Sequence, residues 1–163
     1  MMEKQVLDPA CGFRGFYFNK SDPRVLFGDI RREKQTLCDG RELRIEPDLQ
    51  IDFRRLPFAD NSFSAIVFDP PHLLRAGANS WLAKKYGRLE KDSWQEDLRA
   101  GFSECFRVLR PSGCLVFKWS EKDIKLAEVL ALTPERPVIG HRGKIKYPFH
   151  WCLFVKGHGD VRS

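Results

Sequence analysis

Four aspartates stand at the ends of short apolar segments, and these are the residues through which the sequence points to chemistry. Asp8, Asp29, Asp52 and Asp69 each follow a run that is mostly apolar and β-branched, a composition typical of buried parallel strands. The carboxyl ends of parallel strands meet at one edge of a sheet, where open α/β sheets bind their ligands. The sequence therefore predicts one crevice on which several carboxylates converge.

The elements that must position these acids alternate along the chain. Strands are predicted over residues 5–7, 25–27, 49–51, 65–68, 114–119, 138–141 and 150–155. Strands that alternate with helices favour an α/β fold with a doubly wound, mostly parallel seven-stranded sheet, here in a single domain over residues 1–163. Residues 35–47 alternate loosely around an Asp39-Gly40 turn signal, which predicts a β-hairpin insertion after the second strand. The alternative is an irregular surface loop.

Two amphipathic helices are predicted in the second half of the chain. The first begins at a capping box formed by Ser93 and Glu96 and carries an apolar stripe over residues 98–109. The second begins after Ser120 and Asp123, which can cap it. Pro111 and Gly113 are expected to end the first helix and Pro134 the second.

The composition narrows the choice of partners and compartment. The chain has 28 Lys and Arg against 22 Asp and Glu, a net charge of +6, which suits a polyanionic partner but also an ordinary basic surface. No apolar run approaches the roughly 20 residues that span a bilayer. Five cysteines without a C-x-x-C pair suit reduced thiols. We therefore expect a soluble cytoplasmic protein. We expect no metal site, since the His and Cys spacing over residues 141–152 matches no common ligand set.

The first two acids are spaced as an adenosine-binding site requires. Asp29 lies 21 positions after Asp8, close to the ~20-residue offset at which an acid meets the ribose hydroxyls of an adenosine cofactor. Gly12 and Gly15 allow a tight turn, but the full G-x-G-x-x-G phosphate-binding pattern is missing. A cofactor without phosphates, such as S-adenosylmethionine, therefore fits better than a dinucleotide, and Asp52 could accept from its adenine amino group. Alternatively, Asp29 is a simple turn or cap residue.

Three motifs carry a resemblance to a known family. They are D-P-A-C-G over residues 8–12, D-P-P-H over 69–72 and R-V-L-R-P-S-G-C-L-V-F over 107–117. In this order and spacing the chain resembles the Rossmann-like class I S-adenosylmethionine-dependent methyltransferases. More specifically, it resembles the amino-methyltransferases of DNA and RNA whose signature is Asp/Asn-Pro-Pro-aromatic after the fourth strand. The resemblance covers nearly the whole chain and implies a cofactor site formed by Asp8, Pro9, Ala10, Cys11, Gly12, Asp29, Ile30, Asp52, Phe53 and Asp69.

The resemblance assigns the reaction to the D-P-P-H motif. An amino nitrogen on adenine or cytosine shares its lone pair with the ring and is a poor nucleophile. In the family's chemistry Asp69 accepts one amine hydrogen and the Pro70 carbonyl accepts another, while Pro71 rigidifies the turn. Most relatives place Tyr, Phe or Trp next, to stack on the base, whereas this chain has His72, whose smaller and titratable ring can still stack. The alternative is a strand-ending turn without a catalytic role.

Basic and aromatic residues are interleaved in the segment that follows the motif, residues 73–92. The substrate-binding candidates, besides His72, are Arg75, Trp81, Lys84, Lys85 and Tyr86. Such a mixture suits phosphate contacts and stacking along a strand of nucleic acid. A solvated lid whose aromatic side chains pack on the domain is the alternative.

Together these features predict a methyltransferase that modifies an exocyclic amino group of a nucleic acid base, with adenine N6 in DNA or RNA favoured over cytosine N4. Specificity is expected from residues 73–92, from the hairpin insertion or from a partner protein. Two alternatives remain open. Residues 56–63 resemble a segment of small-molecule methyltransferases, which favours a small-molecule or protein acceptor. The departure at His72 favours a cofactor-binding subunit without activity.

Overall fold

The computed structural model describes residues 4–37, 39–77, 80–144 and 146–157. Within these residues the strands are β1 (Val6–Asp8), β2 (Val25–Asp29), β3 (Glu33–Thr36), β4 (Glu42–Ile45), β5 (Leu49–Gln50), β6 (Phe63–Phe68), β7 (Leu109–Ser120), β8 (Ile139–Lys144) and β9 (Pro148–Val155). The helices are α1 (Trp81–Tyr86), α2 (Trp94–Val108) and α3 (Leu126–Leu130).

Seven strands form one sheet in the order β5-β2-β1-β6-β7-β9-β8. Neighbouring strands from β5 to β7 pair in parallel, and β9 runs antiparallel to both β7 and β8. The predicted α/β fold with a mostly parallel seven-stranded sheet is confirmed. The strand order reverses beside β1, whose neighbours are β2 and β6, and ligands of open α/β sheets bind at such a switch point.

The predicted strands of this sheet are all present, and β7 differs most from its prediction. It begins at Leu109 rather than at Cys114, and the preceding helix ends at Val108, so the prediction that α2 continues to Pro111 is wrong. Leu109 has extended backbone angles and pairs with Phe63, after which the register of the two strands shifts. Pro111 lies in this irregular stretch, where a strand tolerates the missing N–H.

The helix that precedes β7 begins where predicted, but its predicted capping box is wrong. Ser93 occupies the N-cap position with φ −129° and ψ −1°, and its side chain accepts no hydrogen bond from the helix backbone. These angles are not the extended ones from which a cap hydroxyl reaches the first turn. Ser93 Oγ instead donates to Asp97 Oδ2 at 3.0 Å, and Glu96 does not complete the box.

The predicted cap of the second helix is also wrong, since α3 begins later and has Lys125 as its N-cap residue. Ser120 belongs to β7. Asp123 Oδ2 accepts from the backbone N–H groups of Leu74 and Arg75, at 2.7 and 3.1 Å. By satisfying two backbone donors of another segment, Asp123 fixes the chain just after the D-P-P-H motif.

Helix α2 anchors the part of the sheet that carries this motif. Leu98, Phe102 and Cys105 are completely or almost completely buried. The Phe102 ring lies 5.5 Å from the Phe68 ring on β6 and 5.0 Å from the Phe117 ring on β7, measured between centroids. Each such buried phenyl side chain contributes roughly 1.5–3 kcal/mol, so the end of β6 is held by a rigid core.

The described residues of the connections on either side of β2 contain no helix. Residues 9–24 form successive turns, and residues 30–48 contain the antiparallel ribbon of β3 and β4. The hairpin predicted over residues 35–47 is therefore confirmed, and Leu43 and Ile45 bury its inner face. Among the helices in the described ranges, none has the length and apolarity needed to cross a lipid bilayer.

Candidate active site

A cleft of about 230 Å³ lies at the carboxyl ends of the parallel strands. Its lining consists of Pro9, Ala10, Cys11, Gly12, Phe13, Gly15, Phe16, Asp29, Ile30, Arg31, Phe53, Asp69, Pro71, Lys85, Tyr86 and Lys118. The structure thus brings together eleven of the predicted site residues: Pro9, Ala10, Cys11, Gly12, Asp29, Ile30, Phe53, Asp69, Pro71, Lys85 and Tyr86. The predicted residues that do not line it are Asp8, Asp52, Pro70, His72, Arg75, Trp81 and Lys84.

Asp8 lies beneath the first turn of the cleft and is fully buried. Its carboxylate accepts from the Ala10 backbone N–H at 3.1 Å and from the Tyr17 hydroxyl at 2.7 Å. Burial raises the pKa of Asp8 to about 7, although both hydrogen bonds lower it, and the charges of Asp69 and Asp29 raise it further. Asp8 therefore shapes the turn from below and changes charge near neutral pH.

The turn that follows β1 is tied to the end of β2. Gly12 has φ +50°, and a Cβ added to it would have only the Arg31 guanidinium near it, at 4.0 Å. Its backbone N–H donates to Asp29 Oδ2 at 2.9 Å, while Asp29 Oδ1 accepts from the Arg31 backbone N–H at 2.8 Å. Arg31 Nε also donates to Oδ1, at 3.4 Å. Because a carboxylate oxygen has two lone pairs, Oδ2 can accept one further hydrogen bond from a ligand.

The cysteine in this turn is not a nucleophile. Cys11 is buried, and that burial raises the pKa of its thiol to about 12, with the charges of Asp8 and Asp29 acting in the same direction. The reactive form of cysteine is the thiolate. Cys11 therefore remains a neutral thiol that packs in the wall of the cleft.

Asp69 forms an ion pair that the sequence pattern had not suggested. Lys118 Nζ, from β7, lies 3.0 Å from Asp69 Oδ2, and both side chains are mostly buried. Burial raises the pKa of Asp69, and the ammonium group of Lys118 opposes that rise. Lys118 also lies above the rings of Phe16 and Trp151, 5.6 and 5.8 Å from their centroids. The strand-end carboxylate of the D-P-P-H motif is thus paired with a cation inside the cleft.

His72 turns away from the cleft. Its ring packs against Tyr86 at 5.6 Å and against the fully buried Trp119 at 6.2 Å, measured between centroids. Burial lowers the pKa of His72 to about 4, with the charges of Lys118 and Lys122 contributing and that of Asp123 opposing. The imidazole is therefore neutral at physiological pH, and the ring that faces the cleft beside the motif is Tyr86.

Helix α1 covers one side of the cleft. Ser80 Oγ caps it by accepting from the Ala83 N–H, and the Lys84 carbonyl accepts from the Arg31 guanidinium at 3.1 Å. Lys85 Nζ is surrounded by three aromatic rings, with the centroids of Phe13, Trp81 and Tyr86 at 5.0, 4.9 and 5.1 Å. The backbone N–H of Leu89 donates to the Leu73 carbonyl at 2.8 Å, which ties the two ends of this segment together. Arg75 is exposed, and the Trp81 ring lies beside the Lys85 ammonium group.

The end of β5 contributes Phe53 rather than Asp52 to the cleft. The Asp52 carboxylate accepts from the Arg54 backbone N–H at 2.9 Å and from its guanidinium at 2.7 Å, and Arg54 also reaches Asp97. These bonds lower the pKa of Asp52 and hold it ionised. Phe53 packs its ring against Phe68, 5.4 Å away between centroids.

Five lining residues were missing from the sequence-based site: Phe13, Gly15, Phe16, Arg31 and Lys118. A signal for Lys118 exists, because it interrupts an apolar strand close to its carboxyl end, as the aspartates do in their strands. Residues 56–63 instead lead into the opposite end of β6. The carbonyls of Leu56 and Phe58 accept from Arg107 there, so this segment supports the fold, and none of its residues lines the cleft.

Comparisons with known proteins identify the fold. No protein-family model matches the sequence, and no curated protein matches it significantly. The PH0226 protein from Pyrococcus horikoshii matches with a TM-score of 0.60 and 18% identity over 93% of this chain and 81% of its own. A SAM-dependent methyltransferase from Methanosarcina mazei matches with a TM-score of 0.58 and 10% identity over 96% and 94%. TrmN from Thermus thermophilus matches with a TM-score of 0.61 and 19% identity over 94% of this chain but 44% of its own. The chain has the Rossmann-like fold of the class I methyltransferases.

Proposed function

We propose that this protein is an S-adenosylmethionine-dependent methyltransferase that modifies an exocyclic amino group of a nucleic acid base, with adenine N6 in DNA or RNA as the favoured acceptor. The observation that carries the proposal is the position of Asp69. It lines the same cleft as the turn at residues 9–12 and as Asp29. A carboxylate that can face an amine therefore lies beside a strand-end site suited to an adenosine ligand.

The residues of the cleft fit the cofactor. Asp29 Oδ2 retains one lone pair for a ribose hydroxyl, and Gly12, with φ +50°, leaves open space above the backbone. Ile30 is half exposed and Phe53 partly buried at the cleft wall, an apolar setting for an adenine ring. When bound, S-adenosylmethionine supplies an electrophilic methyl group on a sulfonium. The preformed turn and the acidic strand ends hold its adenosyl part.

The D-P-P-H motif acts on the acceptor. Asp69 accepts one hydrogen of the amine and the Pro70 carbonyl accepts the other, so that the nitrogen is held towards tetrahedral geometry and its lone pair becomes available. Pro70 is buried. Pro71 packs beside Gly87, the residue that follows α1, and lies 3.2 Å from where a Cβ on Gly87 would stand. The motif is therefore held rigidly, which favours a productive arrangement of the two reactants.

The surroundings of the cleft support a nucleic acid acceptor. Tyr86 and Phe16 offer aromatic faces at the cleft, and Phe18 is fully exposed nearby in the chain. Lys85 adds a cation at the cleft, and the net charge is +6. Stacking of a base on an aromatic ring contributes about 1–3 kcal/mol. Tyr86 takes over the stacking role that the fourth residue of the motif has in the amino-methyltransferases this chain resembles. A partner protein could add sequence specificity.

The test is methyl transfer from labelled S-adenosylmethionine to single- and double-stranded DNA, to RNA and to cell extract, followed by digestion and identification of the modified nucleoside by mass spectrometry. Asp69→Ala should lower the rate by at least about 100-fold and leave cofactor affinity in calorimetry within about threefold. Asp22→Ala, at an acid that is paired with Arg24 and does not line the cleft, is the matched control and should behave as wild type. Label confined to proteins or small molecules of the extract would refute the nucleic acid acceptor. Cofactor binding without any transfer would instead favour an inactive subunit.

A further inference from the structure

The Asp69 carboxylate offers its two oxygens in different ways. Oδ2 accepts from Lys118 Nζ at 3.0 Å. Oδ1 has no hydrogen-bond donor among the described residues. In those residues the one side-chain polar atom that is both fully buried and without a hydrogen bond is His150 Nε2. Oδ1 is therefore not fully buried. One oxygen is therefore committed to the lysine and the other is open to the cleft.

Lys118 is held in place from several sides. The rings of Phe16 and Trp151 flank its ammonium group, and Trp151 is its direct partner across the β7–β9 pair. Phe16 and Trp151 themselves pack edge to face, 5.2 Å apart between centroids. Held between these rings, the long side chain loses its freedom before any ligand binds, so the ion pair is preorganised.

We propose that Lys118 is a positioning residue for methyl transfer, which opposes the protonation of Asp69 and occupies Oδ2, so that Oδ1 alone accepts a hydrogen from the acceptor amine. This inference rests on the proposed function. Folding alone does not call for a lysine at this position, because a buried ion pair is often no more stabilising than apolar residues of the same volume. An ionised carboxylate at this edge does require a cation.

The other groups around Asp69 explain that requirement. The titratable side chains that face it are Lys118 from β7, Asp8 from β1 and Tyr17 from the turns after β1. Asp8 carries negative charge above neutral pH, and the pKa of Tyr17 is raised, so that its hydroxyl stays neutral. Lys118 is thus the cation that opposes both burial and the second carboxylate. A protonated Asp69 would offer a donor to the amine in place of an acceptor.

The experiment measures kcat/KM for amine methylation against pH in wild type and in Lys118→Met, Lys118→Gln, Lys118→Arg and Lys122→Met. Activity is lost as the pH falls through the pKa of Asp69. Removing the cation should shift the acidic limb of the profile of kcat/KM against pH upward by about 1–3 pH units. At a pH below the shifted limb kcat/KM should fall about 10- to 1,000-fold, and it should recover at higher pH. Lys118→Gln keeps a donor without the charge and should shift in the same direction. Lys118→Arg should stay close to wild type.

Lys122→Met is the matched control, because Lys122 lies outside the cleft lining, near Tyr147, and should leave the limb unmoved. Cofactor affinity should be the same in all variants. A loss of activity that is equal at every pH, or equal loss in Lys118→Arg, would overturn the proposal. The carbon-13 carboxyl titration of Asp69 by NMR separates the two proposals. A raised Asp69 midpoint in Lys118→Met, in a protein that methylates no nucleic acid, supports the pairing and refutes the function; an unchanged midpoint refutes the role of Lys118.

Discussion

Replacing Asp8 with Asn should stabilise the protein at pH 8 and change its stability little near pH 4. The carboxylate is fully buried, and its oxygens accept from the Ala10 N–H and the Tyr17 hydroxyl. Asn can preserve both contacts, since its oxygen accepts from Ala10 and its amide donates to the hydroxyl of Tyr17. The substitution therefore removes a buried negative charge and keeps one hydrogen bond to each partner, with the bond to Tyr17 reversed in direction.

The size of the effect follows from the pKa of Asp8, which burial raises from 3.8 to about 7. Because the pKa of the folded state lies above that of the unfolded state, the folded protein retains a proton that the unfolded chain releases between these values. The stability from protonated Asp8 is fully present below about pH 4 and is lost as the pH rises to about 7. At 1.36 kcal/mol per pKa unit the loss is about 4 kcal/mol, and Asp8→Asn should recover most of it.

The assay is urea unfolding of wild type and Asp8→Asn at pH 5, 6, 7 and 8. The free energy of unfolding of Asp8→Asn minus that of wild type should rise with pH and level off above pH 7. Tyr17→Phe removes the hydroxyl that lowers the Asp8 pKa, so the Asp8 pKa should be higher in this variant. The stability of Tyr17→Phe should therefore keep falling to a higher pH than that of wild type. Asp22→Asn, at a carboxyl whose pKa Arg24 lowers to about 2, should run parallel to wild type over this range. A constant difference between Asp8→Asn and wild type at every pH would show that Asp8 does not change its charge there.

Two further substitutions test the cofactor site and the core. Asp29→Ala removes the acceptor for Gly12 and for the ribose hydroxyls, so it should weaken S-adenosylmethionine binding in calorimetry more than tenfold, and unchanged affinity would refute that role. Phe102→Ala should lower the free energy of unfolding by about 3–5 kcal/mol, since the ring is 1% exposed and packs between Phe68 and Phe117. A loss below about 1 kcal/mol in urea unfolding would contradict this packing.

The features that depend on local composition could be predicted from the sequence. Buried parallel strands are apolar on both faces, which identifies β1, β2, β6 and β7 in the centre of the sheet. The position of an acid at the end of such a strand then follows from topology alone. That logic places Asp29 and Asp69 in one cleft, as the structure does. The Asp39-Gly40 turn signal likewise identifies the ribbon of β3 and β4.

The features that depend on a partner distant in the chain could not be predicted. Asp123 has the residue type and position of a helix cap, but two N–H groups nearly 50 residues away occupy its carboxylate. His72 stands where the relatives have a stacking ring, yet its direction is set by Tyr86 and Trp119. Ion pairing between Asp69 and Lys118 requires the pairing of β6 with β7 in the right register. Sequence spacing contains no information on these choices.

The three carboxylates at this edge of the sheet differ in how their charge is compensated. Asp29 is paired with Arg31 and Asp69 with Lys118, whereas Asp8 has two neutral donors and no cation. The uncompensated charge therefore falls on Asp8, whose pKa reaches about 7. A fold selected for stability alone would place an uncharged residue there, because apolar or amide side chains avoid this loss. A cationic ligand in the cleft above, such as the sulfonium of the proposed cofactor, would favour the ionised form of Asp8.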